Sequence, residues 1–594
     1  FEGNWMQAEE VAAGAEADFD LLNGNSHHVV PDNERYQGYG PGEWCRTKRM
    51  LSRLAVRMSY GDQGADGRRL GSQGRHLPNP EIPAGYTYFA QLVGHDIVAT
   101  GEPFPTGRVD LDEVRSYRQV PLALECVYGA GPDLTPLPYE SRESSESVRR
   151  RLRLGATRHT GSDVPNSKER DIPRVACPYI SGRSVSSSGG RLGPTDDLLA
   201  DSRNGDNLIL SQLTALFHYL HNVVLEKVDQ APVADPQPPE PIRERQNFEA
   251  AQRLVVRVYR RIIRQDLLKK LLDCRVYEHY AQTSEYSGFA HKFHSALHPE
   301  QEGRQPSSRV PLEFSHAAYR FGHAMISDRY SLNAAREGAG RATTTAIVKF
   351  TSSRKPSEMP LACDWLIDGW SRFFEGTTGN ESTNPSRLIT PNIAVGLIGG
   401  SDFAADDGNP GQLIYRDLVR GAAVGVRTVA SLLDEFGIAE VNDYPLGNPC
   451  SRARLIREWL RQDKGGDLSE DEICKIADDP PLFFFVLFEA MVGRGPAEAG
   501  ATESHRAGEC LGLLGSKIVA EVIFYSLWRT RKLDEVTVRD AELEQQVFGD
   551  ARPKTMSELV DWLNVGEDWG RCASVSNHSQ IIDFRGKRET KNAT

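Results

Sequence analysis

The chain lacks any hydrophobic run long enough to span a bilayer: the longest, Leu482 to Phe488, is seven residues, against the ~18 or more that a membrane helix needs. No Cys-x-x-Cys pair occurs among its nine cysteines, at 45, 126, 177, 274, 363, 450, 474, 510 and 572. Neither a zinc ribbon nor a disulfide framework is therefore indicated, and the odd count leaves at least one thiol unpaired within the chain. Basic charge is short as well, with 70 Lys+Arg against 82 Asp+Glu, a net charge of -12 and a pI near 5.8. No excess remains to neutralise phosphates, so nucleic acid is not expected as a partner. There is no Gly/Ser- or Pro-rich linker and no internal repeat. The roughly four domains suggested by length alone, at about 150 residues each, therefore reduce to one large domain across 594 residues. No initiator Met precedes Phe1, which is compatible with removal of an N-terminal segment by processing or by design of the expressed chain. Nothing reads as a signal peptide. The Asn-x-Ser/Thr triplets at Asn380, Asn577 and Asn592 do not decide the compartment, and both cytoplasm and secretion after processing stay open.

What is present is the mix of a soluble globular protein with ample core: 39% apolar, 26% charged, mean hydropathy -0.47. Apolar residues recurring at helical spacing predict helices over 44–60, 86–98, 207–229, 244–273, 312–326, 412–434, 451–462, 481–492 and 512–530. Strands are scarce, with 347–351 one short candidate. The expected fold class is mainly α, a large single domain with long irregular loops and little β. The expected boundaries are an N-terminal extension over 1–35, a catalytic domain over 36–565 and a tail over 566–594.

Four short motifs carry chemistry. In Gln91-Leu-Val-Gly-His95-Asp96, Gln91 and His95 stand at i and i+4 on one helical face. Such a pair is equally a satisfied core contact or a general base beside a water-ordering amide. In Asp201-Ser-Arg203-Asn-Gly-Asp206-Asn207, Arg203 and Asp206 are spaced to share the first turn of the long helix. Capping explains Asp206, but an arginine at that end needs an anionic or oxygen-bearing partner. The third is Tyr319-Arg320-Phe321-Gly322-His323, where Gly322 leaves room for a flat group to approach. The fourth is Tyr415-Arg416-Asp417-Leu-Val-Arg420-Gly421, with arginines at a spacing that could hold carboxylates. His218 and His221, at i and i+3, are read as packing, and the pair His27-His28 as solvated.

Together and in this order, these motifs resemble the animal-type haem peroxidases of the peroxidase–cyclooxygenase superfamily, especially the bacterial branch. The resemblance runs from about Tyr36 to Leu563. It includes Pro83-Ala-Gly-Tyr-Thr-Tyr-Phe89, Val127-Tyr-Gly-Ala-Gly-Pro132, Asp364 to Phe374, Pro481 to Ala490 and Leu514 to Glu521. It implies haem b as cofactor and hydrogen peroxide and a small organic donor, phenolic or a biosynthetic intermediate, as substrates, with a ferryl intermediate between them. It implies further that His95 is the distal base beside Gln91, Arg203 the distal arginine and His323 the proximal iron ligand. By the same matching, Arg320 and Arg420 meet the haem propionates and Asp417 hydrogen-bonds the proximal ring.

The sequence also departs from the family. Gly94 stands where many members carry an ester-forming Asp, and Asp206 where they carry Glu. Noncovalent haem is the preferred expectation, and halide oxidation is placed in doubt. Asp96 matches a calcium ligand, but Ala123 replaces a family Asp and Glu125 a Ser or Asp. Calcium wants six to eight oxygens, so the ion is left as an open alternative. Asp417 stands where Asn is usual. The competing functions are a fatty-acid oxygenase of the same superfamily and a noncatalytic haem-binding protein. Against the first, the position three before His323 is Arg320 where such oxygenases use Tyr; against the second, Gln91, His95, Arg203 and His323 are all retained.

Overall fold

The computed structural model describes residues 44–60, 78–100, 170–176, 195–232, 238–282, 310–333, 383–394, 412–441, 444–462, 468–493 and 507–563, most of 105–157 and of 361–375, and the strand at 342–343. The expected extension over 1–35, the tail over 566–594, His27-His28, the loop at 61–74 and the strand candidate at 347–351 lie outside these residues. The longer helices are α1 (Trp44–Met58), α2 (Ala84–Ile97), α3 (Leu208–Asp229), α4 (Glu240–Ile262), α5 (Gln412–Val424), α6 (Pro449–Arg461), α7 (Leu482–Val492), α8 (Leu513–Arg529) and α9 (Val538–Phe548). Among the described residues, β structure amounts to four two-stranded sheets of short strands. The mainly helical fold is the one expected.

Helix α3 is the axis of the core. Asn207 caps it by accepting from the Leu210 amide at 3.0 Å, and nearly every residue up to Leu225 is buried. By length and composition α3 could cross a membrane, but 89% of its apolar window is buried inside the protein. Helix α4 packs along it and α2 crosses it. Phe89, Phe217 and Tyr259, one from each of these three helices, interlock with ring centroids 5.8–6.3 Å apart, a geometry that adds specificity to apolar burial.

The entry to α2 is pinned by backbone. The antiparallel pairing of Pro78–Pro83 with Pro385–Arg387 leads into Gly85, whose amide donates to the Phe373 carbonyl at 2.9 Å. A Cβ on Gly85 would lie 2.4 Å from that oxygen, so only glycine fits. Two hydroxyls fix the next turn: Tyr86 donates to Asp266 at 2.7 Å and Tyr88 to the Tyr330 hydroxyl at 3.0 Å.

Three predicted helices differ from the chain's actual course. The pattern over 312–326 is a short turn, Leu312–Ser315, followed by a 3-10 helix, Ala318–Met325. Ala317 at φ -139, ψ -78 breaks the winding between them. The pattern over 412–434 stops at Gly425, whose φ of +61 ends α5, and resumes at Val429 under a Thr428 cap. The pattern over 244–273 is interrupted by a π turn at Ile263–Leu267.

His218 and His221 are packing residues, as read. The His218 ring contacts the Arg153 carbonyl at 2.8 Å, and His221 contacts the Arg150 carbonyl at 2.8 Å and the Tyr128 hydroxyl at 3.1 Å. Burial lowers both from 6.5 to about 4. Their neutral forms are favoured in the fold, while the unfolded chain takes up protons first as pH falls below 6.5. Their stabilisation is therefore complete above 6.5 and lost between 6.5 and about 4. His221→Gln should make stability less acid-sensitive across that window, by close to one proton in the slope of unfolding free energy against pH. An unchanged slope in urea titrations would contradict the burial of a neutral imidazole.

Candidate active site around two imidazoles

Helix α2 keeps three positions partly open, Gln91, Gly94 and His95, and buries the rest. These lie at i, i+3 and i+4, so the opening is one stripe along the helix. The 3-10 segment behaves alike: Phe321, Ala324 and Met325 are buried, while Tyr319, Arg320, Gly322 and His323 stay partly open. The two elements touch, and the Tyr319 hydroxyl donates to the Ala90 carbonyl at 3.0 Å. A Cβ at Gly94 would lie 2.9 Å from the Tyr319 ring; one at Gly322 would meet nothing within 4 Å.

The proton position on His95 follows from its neighbour. Asn204 donates from Nδ2 to the Cys126 carbonyl at 3.1 Å, which orients its Oδ1 as the acceptor facing His95 Nδ1 at 2.8 Å. Nδ1 therefore carries the hydrogen, and Nε2 keeps a lone pair with no partner among the described residues. Burial, followed by the charge of Arg203, lowers the imidazole from 6.5 to about 3, so it is neutral near pH 7.

Arg203 and Asp206 do not share the first turn of α3 as predicted. They belong to a separate 3-10 turn, Ser202–Gly205, with Asp206 closing it. Asn207, rather than Asp206, caps the helix, because one more residue is needed to turn the chain into α3. The partner Arg203 requires is Asp201, reached by Nε at 3.0 Å and Nη2 at 2.6 Å. Nη2 also donates to the His95 carbonyl at 3.1 Å, leaving Nη1 without a hydrogen bond among the described residues. Arg118, which the sequence reading missed, binds the same two groups: it forms an ion pair with Asp201 and donates from Nε to the His95 carbonyl at 2.7 Å. Burial would raise Asp201, but Arg203, His95 and Arg118 outweigh it and hold the carboxyl at about 2. Gln91 Oε1 accepts from Asn207 Nδ2 at 3.3 Å.

His323 Nδ1 lies 2.6 Å from Asp417 Oδ2, and Arg320 Nη1 lies 2.9 Å from Oδ1. A 3-10 helix eclipses residues three apart, which is why Arg320 and His323 reach one carboxylate. Asp417 is buried. Burial would raise it, but His323, Arg320 and Arg420 together lower its pKa below the usual value. An anionic acceptor keeps the hydrogen on Nδ1, so the Nε2 lone pair is directed outward. The Arg320 Nε is buried without a partner.

Asp96, the possible calcium ligand, is buried off this opening. Its two oxygens accept from the Leu124 amide at 2.8 Å and the Cys126 amide at 3.1 Å.

The animal haem peroxidase family matches residues 144–419, a span holding Arg203, Arg320, His323 and Asp417. Residues 144–419 of this chain are similar to an animal haem peroxidase domain. No curated protein matches its sequence. Among solved structures it is similar to peroxidase A from Dictyostelium discoideum, with a TM-score of 0.51 and 14% identity over 87% of this chain and 89% of that one. It is also similar to Oryza sativa fatty acid alpha-dioxygenase, with a TM-score of 0.50 and 11% identity over 89% and 80% of the two chains. Both likenesses concern the fold. The match to that family implies a haem, and the residues fit one: two imidazoles with Nε2 left free of hydrogen bonds among the described residues, open space over Gly322 and a buried guanidinium nitrogen without an acceptor.

Asp201 is the counter-charge between two guanidiniums. Removing one partner from a buried pair costs about 3–5 kcal/mol; because Arg203 is part-exposed, Asp201→Asn should cost the lower end, near ~3 kcal/mol, in a denaturant titration. A loss below ~1 kcal/mol would show that the carboxylate is not the hub.

Proposed function

We propose that this chain is a haem peroxidase that reduces hydrogen peroxide while oxidising a small organic donor, phenolic or a biosynthetic intermediate. The observation that carries the reading is the His95 tautomer: a neutral imidazole in an open stripe, with Nδ1–H fixed by Asn204 and Nε2 bare. His323 would hold the haem iron through Nε2. Arg320 and Arg420 would meet its carboxylates, and Asp206 would stay without a covalent link to it. When bound, the haem supplies the redox centre that accepts oxidising equivalents from peroxide and passes them on singly.

The chain's residues handle protons and charge. Nε2 of His95 takes the proton from one peroxide oxygen and returns it to the departing one, a transfer worth on the order of 10²–10⁴-fold. Arg203 Nη1 offsets the negative charge that develops as the O–O bond breaks, for a further ~10²–10³-fold. Gln91, one turn before His95, would order water there. The noncovalent reading is supported by Tyr319, whose ring occupies the space a side chain at position 94 would need.

Two features disfavour the fatty-acid oxygenase reading. Position 320 is an arginine paired to Asp417. Among the described residues the neighbouring Tyr319 hydroxyl donates to the Ala90 carbonyl alone, which cannot take a proton. Burial also pushes this phenol well above its usual pKa.

The test is peroxide-dependent oxidation of a phenolic dye by the haem-loaded chain. His95→Ala should slow the peroxide step by about 10²–10⁴-fold. In the native chain that step should stay level with pH until it falls near the His95 value of about 3; Arg203→Ala, removing a charge that lowers this value, should move the fall to higher pH. Oxygen uptake with a fatty acid in place of dye oxidation would transfer the assignment to the oxygenase class, and neither activity would leave a haem-binding protein. Acid-acetone extraction should remove all pigment; colour retained on the chain would point to an ester through Asp206.

Asp417 adds a second measurement. An anionic acceptor on Nδ1 makes the ring a stronger donor and favours the higher oxidation state. If the carboxylate is worth about 1.4 kcal/mol between the two states, Asp417→Asn should raise the ferric/ferrous potential by roughly 60 mV. No rise would refute the pairing.

A further inference from the structure

We propose that Arg118 is the resident cation of the loop after α2, occupying the role a calcium ion would fill, and that it positions both His95 and Arg203. The inference rests on the peroxidase reading only for the meaning of those two residues.

The described residues of the loop do not fit calcium. Asp96 spends both oxygens on the Leu124 and Cys126 amides. Glu125 Oε2 accepts from the Gln119 and Val120 amides at 3.0 and 3.3 Å. Position 123 is alanine and offers no side-chain oxygen. Among the described residues no group of three or more His, Cys, Asp or Glu side chains is arranged to hold a metal ion. A hard divalent cation needs converging, unoccupied oxygens, and these carboxylates instead tie the loop to itself through its own amides.

A positive charge is nonetheless there. Arg118 is buried, with 8% of its side chain exposed. Burial disfavours its charge, but Cys126, Asp201, Asp96 and Glu125 around it outweigh that and raise its pKa. Its planar fork does what a spherical ion cannot, binding an anion and a carbonyl in fixed directions at once. The anion is Asp201, which holds Arg203; the carbonyl belongs to His95. Arg203 reaches the same carbonyl from its own side. The backbone of His95 and the guanidinium of Arg203 are thus set by one buried side chain contributed from 23 residues beyond His95. Arg118 is a positioning residue: nothing places it against substrate.

The test has a metal arm and a rate arm. In the first, the purified full chain is assayed for bound calcium, and its melting temperature is followed with a calcium chelator and with added calcium. The expected result is no stoichiometric calcium and the same melting temperature throughout. One retained calcium per chain, with melting lowered by the chelator, would overturn the proposal. This arm is independent of activity, so it decides the loop even if the peroxidase reading fails.

In the second arm, Arg118→Gln should melt several degrees lower and react with peroxide about 10–100-fold more slowly, the scale of losses on removing an outer-shell partner. Arg118→Lys keeps the charge but loses the fork. It should recover most of the melting temperature and little of the rate, and it carries this arm should the glutamine variant fail to fold. Millimolar guanidinium ion added to Arg118→Ala should restore part of the rate. A lysine variant as fast as the native chain, or an alanine variant indifferent to guanidinium, would overturn the positioning role.

Discussion

Helix α2 buries eleven of its fourteen residues, held by aromatic rings from α3 and α4, by backbone at Gly85 and by two tyrosine hydroxyls at its first turn. A helix so enclosed can open only where a neighbour leaves space, and this one opens along Gln91, Gly94 and His95. The site depends on that constraint. A catalytic imidazole must sit on a rigid element, and it must also reach a cavity; here burial on all other sides provides the rigidity and the single stripe provides the access.

Within the candidate site, two histidines of the same intrinsic chemistry are suited to the different tasks proposed for them by their Nδ1 partners. His95 faces a neutral amide that fixes its tautomer without adding charge, and burial keeps it unprotonated. His323 faces a buried carboxylate shared with a guanidinium, which strengthens its other nitrogen as a donor to metal. Exchanging the partners would exchange the tendencies. The 3-10 winding of 318–325 serves the same end, since it eclipses Arg320 and His323 over the one carboxylate.

Much of this was legible in the sequence because it is local. The spacing of Gln91 and His95, the order of the four motifs and the apolar stripe of α3 depend only on neighbours along the chain. The break at Ala317 was not legible, since alanine suits a helix and only packing against α7 and α2 dictates otherwise. The short helix Glu470–Asp478 was missed although its signal is in the sequence: Ser469 and Glu472 form a capping box, and Ile473, Ile476 and Ala477 stand at helical spacing. Asp201 could have been found, because an Asp two residues before an Arg can accept from its backbone and its side chain. Arg118 could not, because an irregular segment gives no local clue that position 118 returns to the end of α2. Nor could Asn204, whose role depends on the Cys126 carbonyl that orients it.

The central claim is that one iron porphyrin is held by the Nε2 lone pair of His323, beside His95. Titration of the apo-chain with haemin, followed by its visible spectrum, tests this most directly. The account predicts saturation at one haem per chain, with a Soret band characteristic of imidazole ligation that disappears or changes form in His323→Ala and persists in His95→Ala. A native chain that never develops that band, or a His323→Ala chain whose titration and spectrum match the native ones, would contradict it.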